Sequence, residues 1–203
     1  AVFPSWCADR VNPVCAFNAF VQTHVFEAFG MSSTQYVPQN ADLTPPEWND
    51  PWYHHELIKG YVSDQNAYAL GGIAGHAGVF TNIGDAMILM KAWLFQTHPD
   101  RLNATTTALW TKVANLTQSS RALGWDTNDQ SYTWCGTFSK RTFLHIGYTG
   151  TELCADPDIG VLTVVLANGR YPEYNQDGMI AYRPAINQLL HDTYVQQFPQ
   201  HPQ

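Results

Sequence analysis

The feature that most narrows the fold is a change of rhythm at about residue 123. Before it, apolar residues recur at helical spacing; after it they come in short runs, 123–126, 131–135, 142–146, 151–155 and 161–168, broken by turn residues. Runs of this length and composition predict strands. Asp156-Pro157-Asp158-Ile159-Gly160 predicts a tight turn that pairs the last two runs antiparallel. Residues 161–166 are apolar on both faces, which predicts a central strand covered by helices on each side.

Helices are predicted around this sheet. Phe17, Phe20, Val21, Val25 and Phe29 share one face, with Gly30 as the stop. Thr81 is the expected N-cap of the next helix, with Asp85 in its first turn and Ile83, Ala86, Met87, Met90, Trp93 and Leu94 as its buried face. Residues 105–113 predict a shorter helix. A closing helix at 179–197 starts or kinks at Pro184 and turns Ile186, Leu189, Leu190 and Tyr194 inwards. The expected class is α+β, an antiparallel sheet flanked by helices. Residues 36–53 carry Pro38, Pro45, Pro46 and Pro51 and predict a long loop. Gly71-Gly72-Ile73-Ala74-Gly75-His76-Ala77-Gly78 predicts a tight turn with close backbone approach.

Composition excludes several classes. Apolar residues make up 45% and charged residues 13% of the 203, which rules out a disordered tail or coiled coil. The net charge is −7 and the basic residues are scattered, so no nucleic-acid partner is expected. The richest apolar helical stretch, 83–95, is short for a bilayer and is interrupted by Lys91. Ala1-Val2-Phe3-Pro4 reads as a processed or truncated N-terminus. None of Cys7, Cys15, Cys135 and Cys154 forms a CxxC pair. Two disulfides are expected instead, Cys7 with Cys15 and Cys135 with Cys154. With the sequons at Asn103 and Asn115 they favour a secretory or other oxidising compartment. His54-His55 and His76 lack the acidic spacing of a zincin, and no nucleotide, flavin or metal signature occurs, so no cofactor is implied.

The candidate for chemistry is Leu144-His145-Ile146-Gly147-Tyr148-Thr149-Gly150-Thr151. A strand that ends in His-x-Gly places backbone N–H groups beside an imidazole, which suits acyl transfer. A structural histidine beside a bulge is the plain alternative.

Three blocks then resemble the serine hydrolases of the class C β-lactamase and penicillin-binding type. Val25-Phe26-Glu27-Ala28-Phe29-Gly30-Met31-Ser32-Ser33-Thr34 is similar to the family's F-x-PLGM-x-x-T helix end, with Ala28 in place of proline. Asn66-Ala67-Tyr68-Ala69-Leu70-Gly71-Gly72 through Gly75-His76-Ala77-Gly78-Val79-Phe80-Thr81 is similar to its NAYALGG-x-AGHAG-L-F-S segment. His145 to Thr151, Asp156-Pro157, Val164-Val165-Leu166 and Asn168 resemble its last strand pair. The likeness runs over about residues 17–195, leaving 1–16 as a divergent segment and 196–203 as a tail of a single domain or part-domain.

The resemblance implies that His145-Ile146-Gly147 is the third family motif, Lys/His-x-Gly, and that the Tyr148 N–H is an oxyanion donor. It goes with Ile146, Thr149, Asp64, Asn66 and His76 bordering the substrate, the plain alternatives being a surface loop for Asp64 and Asn66 and a structural hydrogen bond in the tight turn for His76. Ile146 stands where Thr or Ser is common and cannot hydrogen-bond a carboxylate. Ser-x-x-Lys and Tyr-x-Asn, which supply nucleophile and base in that family, occur nowhere in the chain. Thr137-Phe138-Ser139-Lys140 precedes the motif strand, where turn and strand-entry chemistry is expected. The implied protein is therefore incomplete, the C-terminal part of a hydrolase whose upstream companion supplies the first two motifs. A small-molecule or peptide-like substrate goes with that reading. A non-catalytic structural subunit or a small-ligand binding module is the alternative.

Overall fold

A computed structural model describes residues 13–47, 57–128, 133–172 and 176–199. The chain forms two compact units, residues 1–88 with 170–174, and residues 89–169 with 175–203.

The first unit opens with α1 (Pro13–Val21), which widens into a π-helical turn over Gln22–Phe26. Gly30 ends it, its N–H donating to the Glu27 carbonyl, while Met31 N–H reaches back to Phe26. Within the expected 36–53 loop, a 3-10 turn forms at Ala41–Leu43, and Glu47 bridges Ile58. β1 (Gln35–Tyr36) pairs antiparallel with β2 (Val79–Phe80), so this loop and the glycine block start from one small ribbon. Between them lies α2 (Gln65–Ala69). Close approach is real at Gly78, where φ is +108° and a Cβ would lie 2.4 Å from the Gly72 carbonyl oxygen. His54 and His55 lie outside the described residues.

α3 (Ile83–Phe95) passes from the first unit into the second. Its N-cap is Asn82 rather than Thr81: the Asn82 side chain accepts from Asp85 N–H at 2.9 Å. Thr81 is instead hydrogen-bonded to the Thr34 hydroxyl. Asp85 is buried, and its carboxylate accepts from Ser33 N–H and the Thr34 hydroxyl, tying the Met31–Thr34 turn to the helix. Ile83 is exposed, so the inner face begins at Ala86.

The second unit holds α4 (Ala104–Thr111) and the main sheet: β3 (Asp126–Thr127), β4 (Phe143–Ile146), β5 (Glu152–Asp156) and β6 (Val161–Val165), antiparallel in chain order. Phe143 faces Ala155, Leu144 faces Cys154, and Cys154 faces Thr163 across the ladder. Period-2 alternation gives the sheet two buried faces. One carries Phe143, Ala155, Leu153, Leu162 and Val164 against Met90, Trp93 and Leu94 of α3, with Trp125 edge-on to both Trp93 and Phe143. The other carries Leu144 and Cys154 against Cys135 and Phe138. The expected Cys135–Cys154 disulfide is present. Cys15 is fully buried and disulfide-bonded, while Cys7 lies outside the described residues.

Three expectations are corrected here. Trp134 and Cys135 sit in a turn, not in a strand; the disulfide anchors that turn to β5, and 131–132 lie outside the described residues. β6 is apolar on both faces as read, yet among the described residues it is the edge strand and not a central one. The closing helix, α5 (Gln176–Gln197), contains Pro184 in its interior, but Ile186, Leu189 and Leu190 point to solvent. Its buried positions are Met179, Arg183 and Asn187, at i, i+4 and i+8. The reason lies beneath: the sheet face there offers the buried Glu152 and Thr163, and polar partners select a polar helix face. The hairpin at 156–160 forms as expected, with Gly160 N–H on the Asp156 carbonyl and Asp158 N–H on the Asp156 carboxylate.

Candidate active-site wall

β4 is buried at Phe143 and Leu144 and reaches the surface at His145. The His145 Nδ1 lies 3.1 Å from the Ile146 carbonyl oxygen. A carbonyl oxygen only accepts, so as a hydrogen bond this contact has Nδ1 as the donor. Ile146 turns to the opposite face and packs, half-buried, against the disulfide cluster. Of the two, it is His145 that meets solvent.

The chain then folds back on itself. Gly147 N–H donates to the Thr151 carbonyl at 2.8 Å and Gly150 N–H to the Gly147 carbonyl at 3.1 Å, closing a four-residue turn. A Cβ at 147 would lie 2.1 Å from Thr151 Oγ1, so a side chain there requires the Thr151 hydroxyl to move. Tyr148 is 62% exposed at the tip of this turn, and Thr149 is half-buried with its carbonyl accepting from Gly169 N–H.

Behind the turn is a polar network that sequence reasoning missed. Asn187, fully buried, donates to Glu152 Oε2 at 3.0 Å and accepts from the Thr163 hydroxyl at 2.7 Å. Glu152 Oε1 has no hydrogen-bond partner among the described residues, and burial pushes this carboxyl up to about 7, with Asn187 and the Arg183 charge pulling the other way. Arg183 places its guanidinium over the Trp134 ring and donates to the Gly147 and Thr151 carbonyls. Glu152 lies beside Cys135 and Cys154, but those sulfurs are joined to each other and offer no thiolate to a metal. Nothing in the local sequence announces this network, because its members are spread from 134 to 187 and none breaks a hydrophobic pattern in a diagnostic way.

In the first unit the glycine block brings two expected residues together. Asp64 caps α2 by accepting from Ala67 N–H at 2.7 Å, and the same oxygen lies 2.8 Å from His76 Nε2. The Ala67 N–H first, then His76, hold the Asp64 carboxyl below its ordinary value. Asn66 is exposed two positions along α2. Tyr36 fixes the block from below, its hydroxyl donating to the Ala74 carbonyl. Elsewhere, Ser139 is the turn lock its position suggested, donating through N–H and hydroxyl to the buried Asp156. The sequon asparagines are exposed: Asn103 caps α4 and Asn115 accepts from Thr117.

Comparison with known proteins places this geometry. The Beta-lactamase family model matches residues 15–185. A relative from Escherichia coli K12, named "Putative D-alanyl-D-alanine carboxypeptidase", is 29% identical over 171 residues, covering 73% of this chain and 39% of its own length. A Salmonella gallinarum protein of the same name is also 29% identical with the same coverage. Among solved structures, a β-lactamase from Mycobacterium bovis aligns with a TM-score of 0.59 at 19% identity, over 87% of this chain and 56% of that one. Simvastatin synthase from Aspergillus terreus aligns with a TM-score of 0.58 at 17% identity, over 88% and 50%. These structures share the fold, and the chain spans about two-fifths of the length of the curated relatives it matches. The motif order along the chain, the fold and the family match over 15–185 agree, and the chain belongs to the beta-lactamase family.

Proposed function

We propose that this chain is the C-terminal portion of a serine hydrolase that transfers acyl groups from an ester, amide or β-lactam-like substrate. The observation that carries the reading is the outer end of β4, where the exposed His145 imidazole stands beside the turn that Gly147 and Thr151 close. In this reading an upstream segment brings the Ser-x-x-Lys serine. Its oxygen attacks the substrate carbonyl, the Tyr148 N–H takes the developing oxyanion, and His145 handles the proton at the leaving group. Ile146, packed on the inner face, disfavours substrates recognised through a terminal carboxylate. The Cys135–Cys154 disulfide supports an oxidising compartment.

The companion segment has a place to bind. Among the described residues β6 is the last strand of the sheet and carries no charged residue, and α5 exposes Ile186, Leu189 and Leu190. Soluble edges are ordinarily blunted by charge or covered. The chain spans only 39% of its relatives' length, so the occupant argued for is the missing segment of the same hydrolase. The same open faces support a second reading, a non-catalytic subunit of an assembly.

Intact-mass analysis of native material, combined with labelling by a fluorophosphonate, separates the two. A co-purifying segment labelled at a Ser-x-x-Lys serine is the expected result. Native material with no such segment and no labelled serine overturns the hydrolase.

A further inference from the structure

Two adjacent residues of α5 grip the turn that bears Tyr148 from within. The Arg183 guanidinium Nη2 donates to the Gly147 carbonyl at 2.6 Å and to the Thr151 carbonyl at 3.3 Å. The Tyr182 hydroxyl donates to the Gly150 carbonyl. Arg183 is 4% exposed, and its group is held by the Trp134 face on the other side. Such a placement makes Arg183 more than a filler of the core.

The Gly147 carbonyl and the Tyr148 N–H belong to one planar peptide, and among the described residues only Tyr171–Pro172 is cis. In a trans peptide the oxygen and the N–H point in opposite directions. Drawing the oxygen inwards onto a cation therefore turns the Tyr148 N–H outwards. It also polarises the amide, because a charge-assisted bond at the oxygen strengthens the same unit as a donor. The Tyr182 bond acts likewise on the next plane but two, Gly150–Thr151.

We infer that Arg183 is a positioning residue for the oxyanion donor: it fixes the Gly147–Tyr148 peptide plane with its N–H aimed at the substrate side and raises its hydrogen-bonding strength. Tyr182 steadies the far end of the same turn. The inference rests on the acyl-transfer reading for its catalytic consequence, but the orientation itself stands on this chain alone.

The test has two arms. In the labelled chain, R183Q is expected to move the Gly147 carbonyl ¹³C and Tyr148 amide ¹⁵N resonances while leaving those of Phe143 in place. In native material with its companion segment, R183Q is expected to lower kcat for p-nitrophenyl acetate about ten- to a hundredfold, with KM changed less than twofold. R183K, which keeps the charge, recovers part of that loss. Unmoved resonances overturn the inference, and so does an unchanged kcat in an active assembly. If the wild-type assembly hydrolyses no ester, the functional reading fails separately, and the resonances decide the orientation. If R183Q does not fold, Y182F decides through the Gly150 and Thr151 resonances, with R183K as the kinetic variant.

Discussion

At Gly147 the neighbour that a side chain would meet is the Thr151 hydroxyl. The missing Cβ would meet Thr151 Oγ1 at 2.1 Å and Thr151 Cβ at 3.4 Å, so the hydroxyl is the obstacle and the methine is not. G147A is therefore expected to cost about 1–3 kcal/mol of stability, an overpacking effect. Adding T151A should return most of it, read as the midpoint of urea unfolding; no recovery in the double variant would refute the steric assignment. Glu152 makes a different prediction. Its folded carboxyl is pushed up to about 7 from an ordinary 4.5 by burial, so between those values the folded chain keeps a proton that the unfolded chain releases. Stability from this group is thus full below about pH 4.5, falls as pH rises, and is flat above about pH 7, with a span of roughly 3 kcal/mol at most. The groups facing it are Asn187 and the Arg183 charge from α5, with the Tyr182 phenol, raised by burial first and in part by the Glu152 charge, as a second titratable group on the same helix. E152Q should flatten the pH dependence of unfolding between pH 5 and 8 relative to wild type. An unchanged slope would show that Glu152 is not the group titrating.

At the scale of elements, the Cys135–Cys154 bridge ties the turn before β4 to the strand beside it, and Cys154 stands opposite Leu144, the neighbour of His145. Replacing both cysteines with alanine should cost about 2–4 kcal/mol, measured by denaturant unfolding in the absence of reductant. Equal stability of variant and wild type would mean the strand pairing alone fixes the turn. Much of this level was legible beforehand. The 156–160 hairpin, β4 and β5, and the helix at α3 follow from local signals that need no distant partner: turn residues, period-2 alternation, an apolar stripe. Two of the failures, α5 and the edge position of β6, share one cause. The rule that apolar faces turn inwards assigns the apolar residues of α5 to a core, but it presumes a partner for every such face. Here the inward face is Met179, Arg183 and Asn187, chosen by Glu152 and Thr163, which lie 35 and 24 residues before Asn187, and no short window of sequence contains both halves of that match. The candidate residues divide in the same way: His145-Ile146-Gly147 is a short motif that a window of sequence contains, whereas the clamp on the turn is a tertiary pairing.

For the molecule as a whole, the open edge at β6 and the exposed Ile186, Leu189 and Leu190 predict behaviour in solution. The isolated chain should self-associate in sedimentation velocity, and L189K should reduce that association while leaving the melting temperature within a few degrees, because this side chain is 68% exposed. A wild-type chain that sediments as a monomer and melts cooperatively would remove the need for a companion segment.

The outward apolar stripe of α5 also bears on how substitutions in this protein should be scored. Leu189 and Leu190 contribute little to the folded chain on its own, so a mutational scan of the isolated chain should find both permissive. The same scan in the assembled protein should find them restricted, while Met179 and Asn187, buried in this chain already, should be restricted in both. The difference between the two tolerance maps, position by position along one helix, would outline the contact surface without a structure of the complex.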